Sequence, residues 1–375
     1  MSVGGPQRGE PFPAREPRAP GEPIPPAGPL PPGEPLRPGS PVSRRIARAP
    51  QLARARPIDE HLIALQLPLC YPTVASVNAY LLRLKDGWLL FDCGSCLPPG
   101  WRALEHALRA AGVRADEIEV LLVSHSHADH RGLAAEVVSH TGCRFAMGPA
   151  PHPIIDALRD PKVPLDERVR RGHADGVPEQ LLQPIVDELP AGDEHYPQAT
   201  PDVVLRDGET IASACGPWQV VALPGHSADQ VGLWNAARRW LISADLALPG
   251  AASFLEWGTR PDPHADQTAS LQRAIALQPQ LLLSGHGRPA ESPEAFLRSC
   301  LEAVGVRLQQ VSARLERTPR SAWELASPSM SQAGEVDQWQ RALIGTRAVL
   351  DHLRFEGVAS CAAGEDGVSR WSRVS

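Results

Sequence analysis

Lysine is nearly absent from this 375-residue chain: Lys85 and Lys162 are the only two, and arginine carries the rest of the positive charge. A bias of this kind reflects a GC-rich coding sequence more than a binding surface. Nor is there an excess of positive charge. The formal net charge is -6, which argues against whole-protein attraction to nucleic acid or to an anionic membrane. No run of about 18 apolar residues could span a bilayer, and no apolar signal core stands near Met1. The seven cysteines are odd in number and scattered, so a disulfide framework is not the basis of the fold. Cys93 and Cys96 form a C-x-x-C, read as two thiols in a turn because nothing redox-like surrounds them. These absences predict a protein of a reduced, cytoplasmic setting with no membrane partner.

Proline is the opposite case, with 40 residues crowded toward the beginning. Residues 1–57 carry PPAGPLPPGEPLRPG and almost no apolar periodicity, which predicts a disordered or polyproline-like tail. The basic stretch SRRIARAPQLARAR closes it, as a docking arm or simply a solvated tail. From His61 the pattern becomes strand-like: HLIALQLPL, NAYLLRLK, WLLFDCG, EVLLVSH, VVLRDGETI, WQVVALPG, VGLWNAA, RWLISAD and LLLSGHG. Helices are expected over GWRALEHALRAAG, from about Asp129, and over 265–277. Strands in groups with helices between them predict an α/β protein of two packed sheets with helices outside.

The segment Ser124-His125-Ser126-His127-Ala128-Asp129-His130 follows an apolar strand. In extended chain, residues two apart point the same way, so His125 and His127 can reach one cation. Asp129 and His130 lie on the turn into a helix and face a neighbouring position. His226, Asp245 and His286 each end a later apolar strand. Imidazole and carboxylate in this combination suit zinc and comparable first-row metals. A lone histidine in such a place is ordinarily core or surface, but seven metal-type side chains at strand ends are not a lone histidine.

This constellation resembles the metallo-β-lactamase superfamily over about residues 60–290, a domain placed at 58–290. The resemblance implies the αββα sandwich fold. It also implies His125, His127 and His226 on a first metal, Asp129, His130 and His286 on a second, and Asp245 bridging the two. Asp92 in Phe91-Asp92-Cys93-Gly94 matches a buried aspartate that supports the site loop without binding metal. Two divalent ions, zinc first with iron or manganese as alternatives, would lower the pKa of a shared water toward about 7 and yield a hydrolytic hydroxide. Asp129 is the expected catalytic residue, both ligand and proton acceptor.

Asp245, where β-lactam-cleaving members commonly carry cysteine or another residue, disfavours β-lactamase activity. His127, where flavodiiron members carry glutamate, disfavours redox diiron chemistry. The set is similar to the glyoxalase II-like branch, which implies hydrolysis of a small-molecule thioester or ester, or of a lactone. A single-strand endoribonuclease of the β-lactamase-like group is the alternative. It rests on residues 291–375, where helices over 293–317, 321–330 and 336–356 precede a hairpin in the order of a winged helix. From Arg288 onward 11 arginines meet 11 acids, so that unit is not basic, and nucleic acid is not the favoured partner. Trp323, Trp339, Phe355 and Trp371 are read as core. The unit is expected to cover the active-site mouth or to form a homodimer contact. A helical, proline-broken insertion over about 150–195 reads as a lid. Within it Arg168, Arg170, Arg171 and His173 could hold an anionic substrate tail, the competing reading being a solvated charge cluster.

Overall fold

The central strands, such as Trp88–Phe91, are buried on both faces, so successive side chains enter two different cores, and the layers follow from that. The computed structural model describes residues 53–70, 74–150, 169–182, 199–248, 255–256, 259–330 and 336–374. The first sheet holds seven strands in chain order: β1 (Arg54–Pro57), β2 (Leu62–Pro68), β3 (Ser76–Arg83), β4 (Trp88–Phe91), β5 (Ile118–Val123), β6 (Arg144–Met147) and β7 (Val203–Val204). The pairings are antiparallel from β1 to β4 and parallel from β4 to β7. The second sheet holds β8 (Thr210–Ile211), β9 (Trp218–Ala222), β10 (Val231–Asn235), β11 (Trp240–Ala244) and β12 (Leu281–Ser284), in the order β12-β11-β10-β9-β8.

Leu89 and Phe91 point between the sheets, where they meet Tyr80, Leu122, Trp218, Val220 and Ile242. Trp88 and Leu90, one residue out of phase, face the other way. There they pack with Leu104 and Leu108 of α1 (Gly100–Ala110) and Val137 of α3 (Ala134–Thr141); the single turn α2 (Ala128–Arg131) lies between those helices. On the far side Val221, Leu223 and Leu241 pack with Leu271 of α4 (Pro263–Ala276) and Leu297 of α5 (Pro293–Arg314). The result is helix, sheet, sheet, helix. Each leucine buried in these layers stabilises the fold by about 2 kcal/mol.

The C-terminal unit adds β13 (Arg320–Ser321), α6 (Ala322–Met330), α7 (Val336–Phe355), β14 (Ala359–Ala363) and β15 (Ser369–Arg373). Its sheet runs β13-β15-β14, around a core that includes Leu325, Leu350, Leu353 and Trp371. Val177 and Leu182, from the middle of the expected lid, belong to this same core. Asp175 fixes them there: its carboxylate takes Arg347 Nη1 at 2.8 Å, its carbonyl takes the Trp323 N–H at 3.0 Å, and Arg347 stacks over Trp371 at 4.7 Å.

Several expectations change. Residues 54–57 are not tail but the edge strand β1, anchored by buried Ala53; Pro57 is tolerated because an edge strand can spare an N–H. The tail expectation otherwise falls on residues 1–52, outside the described residues. VVLRDGETI is two strands, not one, because a turn at Asp207-Gly208 carries the chain from the first sheet to the second. Phe355 is not core: it ends α7 and is 71% exposed, while Trp371 is fully buried. No helix among the described residues is long and apolar enough to cross a membrane.

His264 marks where the catalytic layers meet the C-terminal helices. It is buried, and its ring centroid lies 4.5 Å from that of His352. His352 is itself bonded through Nδ1 to Asp262 at 2.8 Å. Burial first, then the neighbouring His352, pushes the His264 pKa down to about 4 from 6.5. A base depressed in the folded state contributes full stability above the unfolded value, and that contribution is lost as pH falls through the folded value. Urea unfolding at pH 7 and near pH 4 should therefore show up to about 3 kcal/mol more acid destabilisation in the wild type than in His264→Leu. Equal losses in both proteins would refute it.

Candidate metal centre

The candidate ligands leave the carboxyl ends of strands in both sheets at one shared edge. β5 runs into His125 and His127, with Asp129 and His130 following on α2. The β9–β10 turn supplies His226, β11 supplies Asp245, and β12 supplies His286. Two backbone positions aim this convergence. Asp92 turns off β4 with φ 61°, a left-handed conformation that a short polar residue accepts. Ala244 adopts φ 45° without that help, held by the Gly285 N–H on its carbonyl at 2.8 Å, and so directs Asp245 into the cleft.

The side chains meet closely. His127 Nδ1 lies 3.1 Å from His125 Nε2 and 2.9 Å from His226 Nε2. Asp245 reaches His130 Nε2 at 3.4 Å, His226 Nε2 at 3.6 Å and His286 Nε2 at 3.3 Å. Asp129 stands 3.2 Å from His286 Nε2 and 3.8 Å from His130 Nε2. Three groups could each hold a cation: His125, His127 and His226; His125, His130 and Asp245; Asp129, His130 and His286. All seven residues expected from the sequence are thus brought together.

The donor set fits a metal on more than composition. His130 Nε2 is buried and faces Asp245 Oδ1 at 3.4 Å, while Nδ1 of the same ring is held by Asp92 Oδ2 at 2.8 Å. That arrangement aims Nε2 into the cluster, where a cation could take the place of its proton. A Cβ on Gly285 would stand 2.0 Å from Asp245 Oδ1 and 2.7 Å from His130 Cε1, so the main chain passes as near the cluster as glycine alone permits.

A family profile described as the metallo-beta-lactamase superfamily matches residues 72–286. This chain belongs to the metallo-β-lactamase superfamily. It is 26% identical over 290 residues to a Bacillus subtilis (strain 168) protein named Probable metallo-hydrolase YqjP, across 71% of this chain and 84% of that one. A shorter stretch of 84 residues is 34% identical to a hydroxyacylglutathione hydrolase of Bdellovibrio bacteriovorus, covering 22% of this chain and 31% of the relative. A solved metallo-β-lactamase family protein of Thermus thermophilus shares the fold, with a TM-score of 0.72 at 24% identity over 85% of this chain and all of its own (100%). The chain is accordingly a metallo-hydrolase of this superfamily.

Around the candidate ligands, supports appear that sequence patterns did not single out. Asn78 Nδ2 donates to the Ser284 carbonyl and to the Gly287 carbonyl, both at 2.9 Å, and Tyr80 Oη donates to the Ser284 carbonyl at 2.6 Å. Both residues sit on β3 and pin the β12 end that carries His286. The Ser76 carbonyl faces His286 Nδ1 at 2.8 Å. On the other flank Arg131 Nε donates to the Ser126 carbonyl at 2.6 Å, and Ser227 Oγ meets both Asp229 and Glu256. In the sequence Asn78 opens the strand pattern NAYLLRLK; only its contacts with the β12 end reveal its task. Gly225, with φ 132°, lets the His226 turn press onto Gln267, whose Cα would be 2.5 Å from an added Cβ.

Asp92 lies behind the cluster, its Oδ1 accepting the Ser124 N–H at 2.7 Å. Arg168 is outside the described residues. Arg170 and His173 are exposed, and His173 faces Glu179 at 3.5 Å. Arg171 is half-buried, with Glu256 and Asp175 within reach of its charge. Cys93 and Cys96 are buried and unbridged, and the Cys93 thiol faces the His130 carbonyl at 3.2 Å.

Electrostatically the cluster has two characters. Burial, reinforced by His130 and His127, holds His125 well below the ordinary imidazole range, so it is neutral and ready to donate a lone pair. Burial also opposes charge on His130 and His286, but Asp245 and Asp129 outweigh it, raising His130 and pushing His286 up to about 10. Burial works against the Asp129 and Asp245 carboxylates as well, yet His130 and His286 hold both below the usual range. At pH 7 the metal-free centre therefore carries protons that a cation must displace. Calorimetric titration in buffers of different ionisation enthalpy should show proton release, with affinity rising about tenfold per pH unit for each proton displaced. Heats independent of the buffer would contradict this.

Proposed function

We propose that the chain is a dinuclear-metal hydrolase of a small-molecule thioester or ester. The carrying observation is the placement of Asp245 between two ligand groups, His125, His127 and His226 on one side and Asp129, His130 and His286 on the other. A pair of divalent cations, zinc being the best match to this nitrogen and oxygen set, supplies Lewis acidity and acidified water when bound. The chain's own residues supply the rest. Asp92 orients the His130 ring through Nδ1, and the Ser76 carbonyl orients the His286 ring in the same way. Asp129 has 18% of its side chain exposed, more than the other carboxylates of the cluster, so it can meet substrate or water. Its carboxylate is the group placed to orient the nucleophile and accept a proton. The local similarity to an enzyme named for hydrolysis of hydroxyacylglutathione, itself a thioester, supports that substrate class over a lactone.

A second reading, single-strand endoribonuclease, is favoured by one observation: α5, α6 and α7 precede the β14–β15 hairpin in the order of a winged helix. The balanced charge of that unit speaks against it. Metal-loaded protein offered an acyl-glutathione thioester should turn it over, stop on chelation, and lose activity at least about a hundredfold in Asp129→Ala. Cleavage of a short single-stranded RNA with an inert thioester would favour the second reading. Turnover that survives both chelation and Asp129→Ala would sink the metal-hydrolase reading.

A further inference from the structure

Two buried aspartates stand behind the ligand cluster without joining it. Asp92 backs His130. Asp229, 1% exposed, occupies the corresponding place behind the three-histidine group. Its Oδ1 accepts from Ser227 Oγ at 2.5 Å and from Ser126 Oγ at 3.4 Å. Ser126 lies between His125 and His127, and Ser227 follows His226, so a single carboxylate oxygen grips both segments that carry the three histidines.

The surroundings turn this grip into a frame. Arg131 holds the Ser126 carbonyl from the opposite side, at 2.6 Å. The Val231 N–H reaches the Ser124 carbonyl at 2.9 Å, and the Glu256 N–H reaches the His226 carbonyl at 3.0 Å. Glu256 Oε2 also approaches Ser227 Oγ at 2.8 Å. The Asp229 carboxylate is buried, and the Ser126 backbone also holds it toward its charged form. An apolar residue here would take this acceptor away from both serine hydroxyls, at about 1–3 kcal/mol for each buried group left unmatched, so the carboxylate is tied to the two serines it joins.

We propose that Asp229 is the positioning residue of the three-histidine half of the centre. By fixing Ser126 against Ser227 it sets the spacing of the His125–His127 pair relative to His226, and so the affinity of that half for its cation. Asp92 does the same for His130 through direct contact; Asp229 acts one residue further out, through two serine hydroxyls. This inference rests on the metal-hydrolase reading of the cluster, though not on its substrate.

Cobalt(II) is the probe, titrated into the full-length metal-free protein and followed by visible absorption and by metal content. Asp229→Ala should weaken one of the two ions by about 10- to 100-fold and change its absorption bands, leaving the other at wild-type affinity. Asp92→Ala should weaken the other ion instead. Asp229→Asn keeps an oxygen acceptor and should return to within about threefold of wild type, whereas Asp229→Leu, which fills the space without an acceptor, should not, a difference that a packing role would not produce. Should Asp229→Ala fail to fold, the milder Ser126→Ala, Ser227→Ala double variant should weaken the same ion about tenfold. Wild-type cobalt affinity and an unchanged spectrum in Asp229→Ala, or in the double serine variant, would overturn the proposal. Failure of the wild type to hydrolyse any acyl substrate would strike the functional reading alone, since the cobalt isotherms do not depend on turnover.

Discussion

Asp245 meets His130, His226 and His286 within 3.6 Å, at a depth where water cannot share the charge. An uncompensated carboxylate in such a place is strongly disfavoured, and so is an uncompensated imidazolium. The cluster can exist only as a near-neutral whole, balanced by protons on the histidines or by cations in their place. Two sheets have to converge at one edge for that balance, because no single strand carries enough donors. The left-handed turns at Asp92 and Ala244, the close pass at Gly285 and the clamp of Asn78 on the β12 end all serve that convergence. None of these features is a strong stabiliser by itself.

The candidate ligand cluster was legible because chemistry leaves a dense local mark. Histidine at 125, 127 and 130 with aspartate at 129, directly after an apolar strand, has few other physical explanations. His226, Asp245 and His286 were legible more indirectly, as polar residues that end runs of buried ones. The sheets could be read from the same runs, since a residue such as Leu89 or Leu90 must choose a face. What escaped was whatever depends on distance across the fold. Asn78 and Tyr80 act on a strand some 200 residues away, and Asp229 acts through serines on either side of the cleft. VVLRDGETI reads as one strand because local pattern does not say which sheet a residue joins. Phe355 reads as core because composition cannot tell the last exposed turn of a helix from its packed middle.

The C-terminal unit shows the same limit at larger scale. Pattern reading separates an insertion from a C-terminal domain because residues 196–290 lie between them. The fold joins them: Val177 and Leu182 complete the core around Trp371, and the Asp175–Arg347 pair locks the contact. Arg347 is satisfied on three sides, by Asp175, by Asp351 and by the Trp371 ring, which is how a buried guanidinium is kept charged without excessive desolvation. Residues 169–182 of the inserted segment are therefore joined to the C-terminal helices, and these reach back to the catalytic layers at His264, whose helix also carries Gln267 against the His226 turn.

The most direct test of the account is a crystal structure of metal-loaded protein with anomalous scattering measured at the metal edge. Two peaks about 3.5–4 Å apart, with Asp245 between them and three histidines on one side, are the predicted result. A single peak, or two ions that do not share Asp245, would contradict the dinuclear centre on which the functional reading depends.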